Sequence, residues 1–220
     1  MNPFSPTFEE LPKTLPIFPL PYALLLPRGR LPLNLFEPRY LNMGIDAMKG
    51  DQMIGMVQPV EPERDPVSAD AKVFHTGCAG RITSFSETED GRVQITLTGM
   101  CRFDIVREIE GKGGYRRVEP DYAPYRADMD PAGAPVELDR EKLVRLLKAY
   151  AAQKGFELDW NAIDKAGDAV LLTSLAMMFP FAGQEKQALL EAPTLNDLSQ
   201  VIMALLEMAV PGADGGAARH

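Results

Sequence analysis

Histidine and cysteine are almost missing from this chain: two of each stand among 220 residues, with a single tryptophan. A structural zinc site takes four nitrogen, sulfur or carboxylate ligands. Cys78 and Cys101 belong to no C-x-x-C pair, and only His75 and the terminal His220 are available to supplement them. No metal site is expected. The two thiols read as small buried core residues in a reducing compartment. Scarce histidine also removes most catalytic triads, because only His75 lies in the body of the chain and no nearby serine carries a nucleophile signature.

Other chemistry is missing too. There is no G-x-x-x-x-G-K-[ST] phosphate loop, no G-x-G-x-x-G after a strand, and neither H-E-x-x-H nor G-x-S-x-G. A Ser–Lys dyad needs a buried lysine whose pKa is lowered. Lys142, Lys148, Lys154, Lys165 and Lys186 all sit among polar neighbours and are expected on helix surfaces. No cofactor is implied, and the chain is expected to be non-enzymatic.

No run of 18 apolar residues occurs, and the N-terminus MNPFSPTFEELPK lacks a basic segment followed by an apolar core. The sequence therefore predicts neither a membrane span nor a signal peptide, and a cytoplasmic protein. Basic residues are in deficit: 23 against 31 acidic ones give a formal net charge of −8 and a pI near 4.9. Phosphate backbones would be repelled, so nucleic acid is not the expected partner; Arg116 and Arg117 are the one local basic candidate.

What remains is a globular composition, 45% hydrophobic and 25% charged, long enough for a substantial core. Residues 15–40, LPIFPLPYALLLPRGRLPLNLFEPRY, read as short strands at 15–20 and 23–26, cut by Pro16, Pro19, Pro21 and Pro27. A turn at 28–30 leads to the alternating Leu31, Leu33 and Leu35. Pro38 suits the first position of a helix whose apolar face is Leu41, Ile45 and Met48, ending near Gly50. A strand at 53–57, a polar loop at 59–71, and strands at 76–86, 92–98, 102–110 and 115–122 follow, with Asp90-Gly91 as a hairpin turn.

Helical periodicity then takes over. Leu143, Leu146, Leu147 and Tyr150 share a face that Gly155 terminates. Asp159 is an N-cap candidate, residues 168–179 and 184–191 form helices stopped by Pro180 and Pro193, and Thr194 with Asp197 makes a capping box for the last helix. The predicted organisation is a flexible leader at 1–14, a β-rich domain at 15–122, a linker at 123–135, a helical domain at 136–210 and a disordered tail at 211–220. The fold class is α+β, with a small barrel compatible with the first half and a helical bundle in the second.

Carboxylate pairs at Glu9-Glu10, Glu61/Glu63 and Glu87/Glu89 lie in the leader or polar loops and read as solvated charge. Glu37 and Arg39 flank Pro38 at a strand-to-helix junction. Either Glu37 meets the helix dipole and Arg39 covers apolar surface, or both line a ligand groove. Met43, Met48, Met53, Met56, Met177, Met178, Met203 and Met208 are expected mainly in the core, with an adaptable peptide groove as the other reading.

Several blocks carry a family likeness. LPIFPL and LLLPRGRLPLNLFEPRY, then CAGRITSFSETEDGRVQITLTGMCRFDIVREIE with Gly80-Arg81-Ile82, Asp90-Gly91 and Gly99-x-x-Arg102-Phe103, then YRRVEPDYAPY and LLEAPTLNDLSQVIMALLEM, resemble the substrate-binding domain at the N-terminus of Lon-type ATP-dependent proteases. The resemblance covers roughly residues 14–210 and is to the free-standing bacterial form in particular, without ATPase and peptidase modules. The resemblance implies a PUA-like β pseudobarrel followed by a helical bundle. It also implies recognition of unfolded or extended polypeptide, with an adaptor or weak holdase role beside a separate protease or chaperone. An exposed strand edge or apolar cleft would supply the contacts. Phe18, Leu20, Tyr22, Phe36, Glu37, Arg39 and Tyr40 are the expected peptide-binding residues. A small-molecule or RNA sensor on the same scaffold is the alternative.

Overall fold

Alternation along the first strand decides the architecture. β1 (Leu15–Pro19) sends Leu15 and Ile17 into one apolar cluster and Phe18 into another. β3 (Met53–Val57) does the same, Met53 and Val57 joining the first cluster and Ile54 and Met56 the second, so all five of its residues are buried. A strand covered on both faces belongs to the middle of a layered fold. The structure, a computed structural model, describes residues 6–61, 67–89, 91–130 and 136–210. The expected tail at 211–220, Asp90 of the hairpin turn and the first five residues of the leader lie outside them.

β1 pairs in parallel with β3 and antiparallel with β6 (Tyr115–Asp121). β3 continues onto β4 (Thr76–Glu87), β4 onto β5 (Val93–Lys112), and the far half of β5 returns to β6. Five strands thus close a ring, β1-β3-β4-β5-β6, filled by the first cluster, whose largest fully buried side chain is Phe103. β2 (Arg30–Leu35) lies outside the ring on residues 93–98 of β5. It carries Pro32, which an edge strand tolerates and a central one does not.

The second cluster covers the outside of the ring. α1 (Pro38–Lys49) packs there, followed by α2 (Arg140–Lys154), α3 (Trp160–Lys165), α4 (Asp168–Met178), α5 (Gly183–Glu191) and α6 (Leu195–Ala209). α2 buries Leu143, Leu146, Leu147 and Tyr150, and α6 opens on the Thr194–Asp197 capping box and packs against α2, α4 and α5. These helical side chains join Phe18, Ile54 and Leu97 of the sheet in one continuous core. The outer face of the barrel and the bundle share this core, while the barrel keeps its own interior.

Four expectations change. Residues 23–26 form no ladder, although Leu24, Leu25 and Leu26 are buried; their apolarity reports core packing, with Pro21 and Pro27 on either side unable to donate to a neighbouring strand. The two strands expected at 92–98 and 102–110 are one strand of 20 residues, accommodated by register shifts rather than a break. α1 buries Tyr40, Met43, Gly44 and Ala47, while Ile45 is exposed and Leu41 and Met48 only flank the core. Part of the expected leader packs on the body: Phe8–Glu10 is a 3₁₀ turn, Leu11 is buried, and Arg126 pairs with Glu9 and lies over the Phe8 ring at 4.3 Å. Arg126 itself belongs to the 3₁₀ segment Ala123–Met129, which lies in the expected linker and packs on β5.

Candidate functional site

The backbone of β5 is bare at Gly99, and the loop at residues 26–30 lies directly on it. Arg28 N donates to Gly99 O and Gly99 N donates to Gly29 O, both at 2.8 Å. A Cβ on Gly99 would stand 2.0 Å from Leu26 O, so no side chain is admitted. From the other side α4 closes on the same loop, and a Cβ on Gly29 would stand 2.2 Å from Met177 Sδ. Two glycines therefore let strand, loop and helix converge.

Three residues beyond Gly99, Arg102 ties the barrel to the bundle. Its backbone N and Nε donate to Asp128 Oδ2, each at 2.9 Å, and Nη2 donates to Oδ1 at 2.8 Å. The guanidinium also donates to the carbonyls of Leu190 (3.2 Å), Ala192 (2.6 Å) and Pro193 (3.2 Å). These carbonyls lie at and just beyond the C-terminus of α5, where helical partners run out and a cation suits the dipole. Burial opposes the charge on Arg102, but the hydrogen bonds and charge of Asp128 outweigh it and hold its pKa above the ordinary arginine value. A second tie is Gln187 of α5, whose Nε2 donates to Thr76 O at 3.1 Å.

Between these ties opens a cleft of about 490 Å³. One wall is the 26–30 loop with Ala127 and Asp128; the other is α4 from Ala169 to Met178 and the α5–α6 junction from Ala192 to Leu198. Val170 and Met178, 64% and 80% exposed, are apolar side chains presented to solvent at a concave surface. Clefts of this size with mainly apolar walls are the usual form of a binding site. The charged lining groups are Arg28, Arg30 and Arg102 against Asp128.

The seven residues expected to bind peptide lie elsewhere. Phe18 and Tyr40 are buried, with ring centroids 4.1 Å apart. Arg39 lies over the Tyr40 ring at 4.6 Å, pairs with Glu37 at 2.9 Å and donates to Val67 O at 2.6 Å. Leu20 is half-buried against the core. Tyr22 and Phe36 remain exposed, at 53% and 54%. Phe18, Glu37, Arg39 and Tyr40 thus form one packed corner, and none of the seven lines the cleft. Met177 and Met178, expected mainly in the core with a groove as the other reading, line the cleft. The Arg28–Arg30 turn and the Gly99-x-x-Arg102 block, far apart in sequence, meet in the fold, which no local sequence signal reveals. Met43, Met53 and Met56 are core residues as expected.

Lys186 departs from the expected helix surface: it is 4% exposed, with Nζ donating to Met177 O at 2.9 Å near the end of α4. Desolvation lowers its pKa from the ordinary 10.5. Between the folded value and 10.5 the unfolded chain binds more protons, so stability rises with pH across that window and falls as pH drops through the folded value. Lys186→Met is therefore expected to raise stability at neutral pH by about 1 kcal/mol and to abolish that alkaline rise. Urea denaturation at neutral and alkaline pH measures both.

Cys78 and Cys101 are free and fully buried, and burial pushes the Cys101 thiol up to about 12. His75 is exposed. Among the described residues, no three His, Cys, Asp or Glu side chains are grouped to hold a metal, and no helix is long and apolar enough to cross a membrane.

Comparison with known proteins identifies the scaffold. The sequence profile of the ATP-dependent protease La (LON) substrate-binding domain matches residues 14–208. The chain belongs to the Lon substrate-binding domain family. It is 25% identical to Lon protease 2 of Myxococcus xanthus over 203 residues, which are 90% of this chain and 24% of that protein. It is 33% identical to the Lon protease of Flavobacterium johnsoniae over 97 residues, 44% of this chain and 12% of that one. The chain therefore spans about a quarter or less of these curated relatives. Among solved structures, the Lon N-terminal domain protein from Xanthomonas campestris superposes with a TM-score of 0.57 at 22% identity, covering 87% of this chain and 97% of that one. The N-terminal domain of the Mycobacterium avium complex Lon protease gives 0.57 at 14% identity, covering 89% and 98%. The α+β architecture of this chain is that of Lon substrate-binding domains.

Proposed function

We propose that this chain is a non-enzymatic recognition module that takes extended or unfolded polypeptide segments into the cleft between barrel and bundle. The observation that carries the reading is the apolar wall of α4, with Val170 and Met178 exposed, facing the 26–30 loop on a substrate-binding scaffold. Burying apolar side chains of an unfolded segment there is favourable by about 25 cal/mol per Å² removed from water. Met177 and Met178, unbranched and polarisable, let one cleft accept differing side chains. Binding of this kind suits an adaptor that hands chains to a separate protease or chaperone, or a weak holdase that keeps them from aggregating.

Titration with a reduced, unfolded model polypeptide tests this directly. The expected result is saturable binding, weakened at least about tenfold by Val170→Asp with Met178→Asp while the melting temperature stays near that of the parent. Both side chains are exposed, so the fold loses little. Tyr22→Ala with Phe36→Ala, two exposed residues outside the cleft lining, is expected to leave binding intact. No binding at high micromolar concentration overturns the reading. Loss of binding only in the Tyr22 and Phe36 variant moves the site to the surface they occupy.

A further inference from the structure

The cleft wall opposite α4 carries a charge pattern at odds with the rest of the chain. The protein is acidic, with a formal net charge of −8. Yet the charged residues lining the cleft are three arginines and one aspartate. Asp128 is engaged by the buried Arg102, to which it offers both carboxylate oxygens. That leaves Arg28 and Arg30, both exposed and both on the loop that forms the rim. Arg28 donates to the backbone carbonyl of Asp130, a neutral acceptor. Arg30 has no charged partner among the described residues. The loop cannot easily withdraw these charges, because its backbone is pinned to Gly99 on one side and covered by Met177 on the other.

We infer that the cleft selects apolar polypeptide segments flanked by acidic side chains over the same segments flanked by basic ones. This rests on the polypeptide reading above and names the class of segment that the site prefers. The apolar part supplies burial against Val170, Met177 and Met178, and the flanking carboxylates meet the guanidinium forks of Arg28 and Arg30. The net negative charge of the protein disfavours acidic chains in general, so productive contact is biased toward this cationic rim. A lysine-flanked segment gains at the bulk surface but meets like charge at the cleft, which converts general attraction into non-productive encounters.

The test uses the full chain and three labelled peptides with one common Leu-Phe-Val-Leu core, flanked by glutamates, serines or lysines, followed by fluorescence anisotropy. At low salt the glutamate-flanked peptide is expected to bind at least about tenfold tighter than the lysine-flanked one, with the serine-flanked peptide between them. At about 1 M salt, where the Debye length is ~3 Å, the three affinities should converge. Arg28→Glu combined with Arg30→Glu should invert the order, with the melting temperature reporting that the fold persists. Equal affinities at low salt, or a preference that the double charge reversal leaves unchanged, overturn this inference alone. Failure of all three peptides to bind overturns the polypeptide reading with it.

Discussion

Arg102→Met should destabilise the protein by about 3–5 kcal/mol, the range for removing one partner of a buried ion pair. The substitution leaves the Asp128 carboxylate, whose side chain is 8% exposed, without its counter-charge. It also strips donors from the carbonyls of Leu190, Ala192 and Pro193 at the end of α5. Arg102→Lys should recover only part of the loss, because a single ammonium cannot span a carboxylate and three carbonyls as a planar fork does. Two comparisons isolate the cause. Removing both partners, with Arg102→Met and Asp128→Asn together, should cost less than the sum of the single changes. Arg107→Met, on the same strand with its Glu119 pair largely exposed, should cost no more than about 0.5 kcal/mol. Equilibrium urea denaturation reads these variants together with Asp128→Asn alone, and a loss under about 1 kcal/mol for Arg102→Met would show that barrel and bundle are held together by other contacts.

Gly99→Val is expected to cost about 3 kcal/mol or more and to abolish polypeptide binding. The colliding atom is the backbone oxygen of Leu26, 2.0 Å from the position of a Cβ, and not the flexible end of a side chain. Relief requires lifting the 26–30 loop, which breaks both 2.8 Å hydrogen bonds to Gly99 and pulls away one wall of the cleft. Gly91→Ala is the informative control. Gly91 has a positive φ of 79° but nothing within 4 Å of its Cβ, so only the conformational penalty of about 1 kcal/mol applies and binding is unaffected. A Gly99→Val protein of full stability that still binds polypeptide would remove the loop from the site.

The sequence carried much of the fold in plain view. Leu143, Leu146, Leu147 and Tyr150 announce α2, and the Thr194–Asp197 box announces α6, because local periodicity and capping depend on neighbours a few residues away. The α1 face was misread for a related reason. Leu41, Ile45 and Met48 are a valid stripe, but the buried face is the neighbouring one of Tyr40, Met43, Gly44 and Ala47, where the bare Gly44 lets Leu35 come close. The buried state of Lys186 was illegible, since its polar sequence neighbours say nothing about α4 folding over it.

The cleft was hidden by distance along the chain. Its walls come from residues 26–30, 102, 127–128, 169–178 and 189–198, which no window of sequence joins. The Gly99-x-x-Arg102 spacing read as a strand with a family likeness. In space the glycine seats one wall of the cleft and the arginine anchors the other. The aromatic corner was more conspicuous because Phe36, Glu37, Arg39 and Tyr40 are consecutive or nearly so, yet that density reflects Tyr40 packing on Phe18 and Arg39 reaching Val67.

Amide chemical-shift mapping during titration with an unfolded, reduced polypeptide tests the central claim most directly. Shifts and line broadening concentrated at residues 26–30, 169–178 and 192–198 are the predicted result. Perturbation confined to the Phe36–Tyr40 corner, with the cleft amides unmoved at saturation, would contradict it.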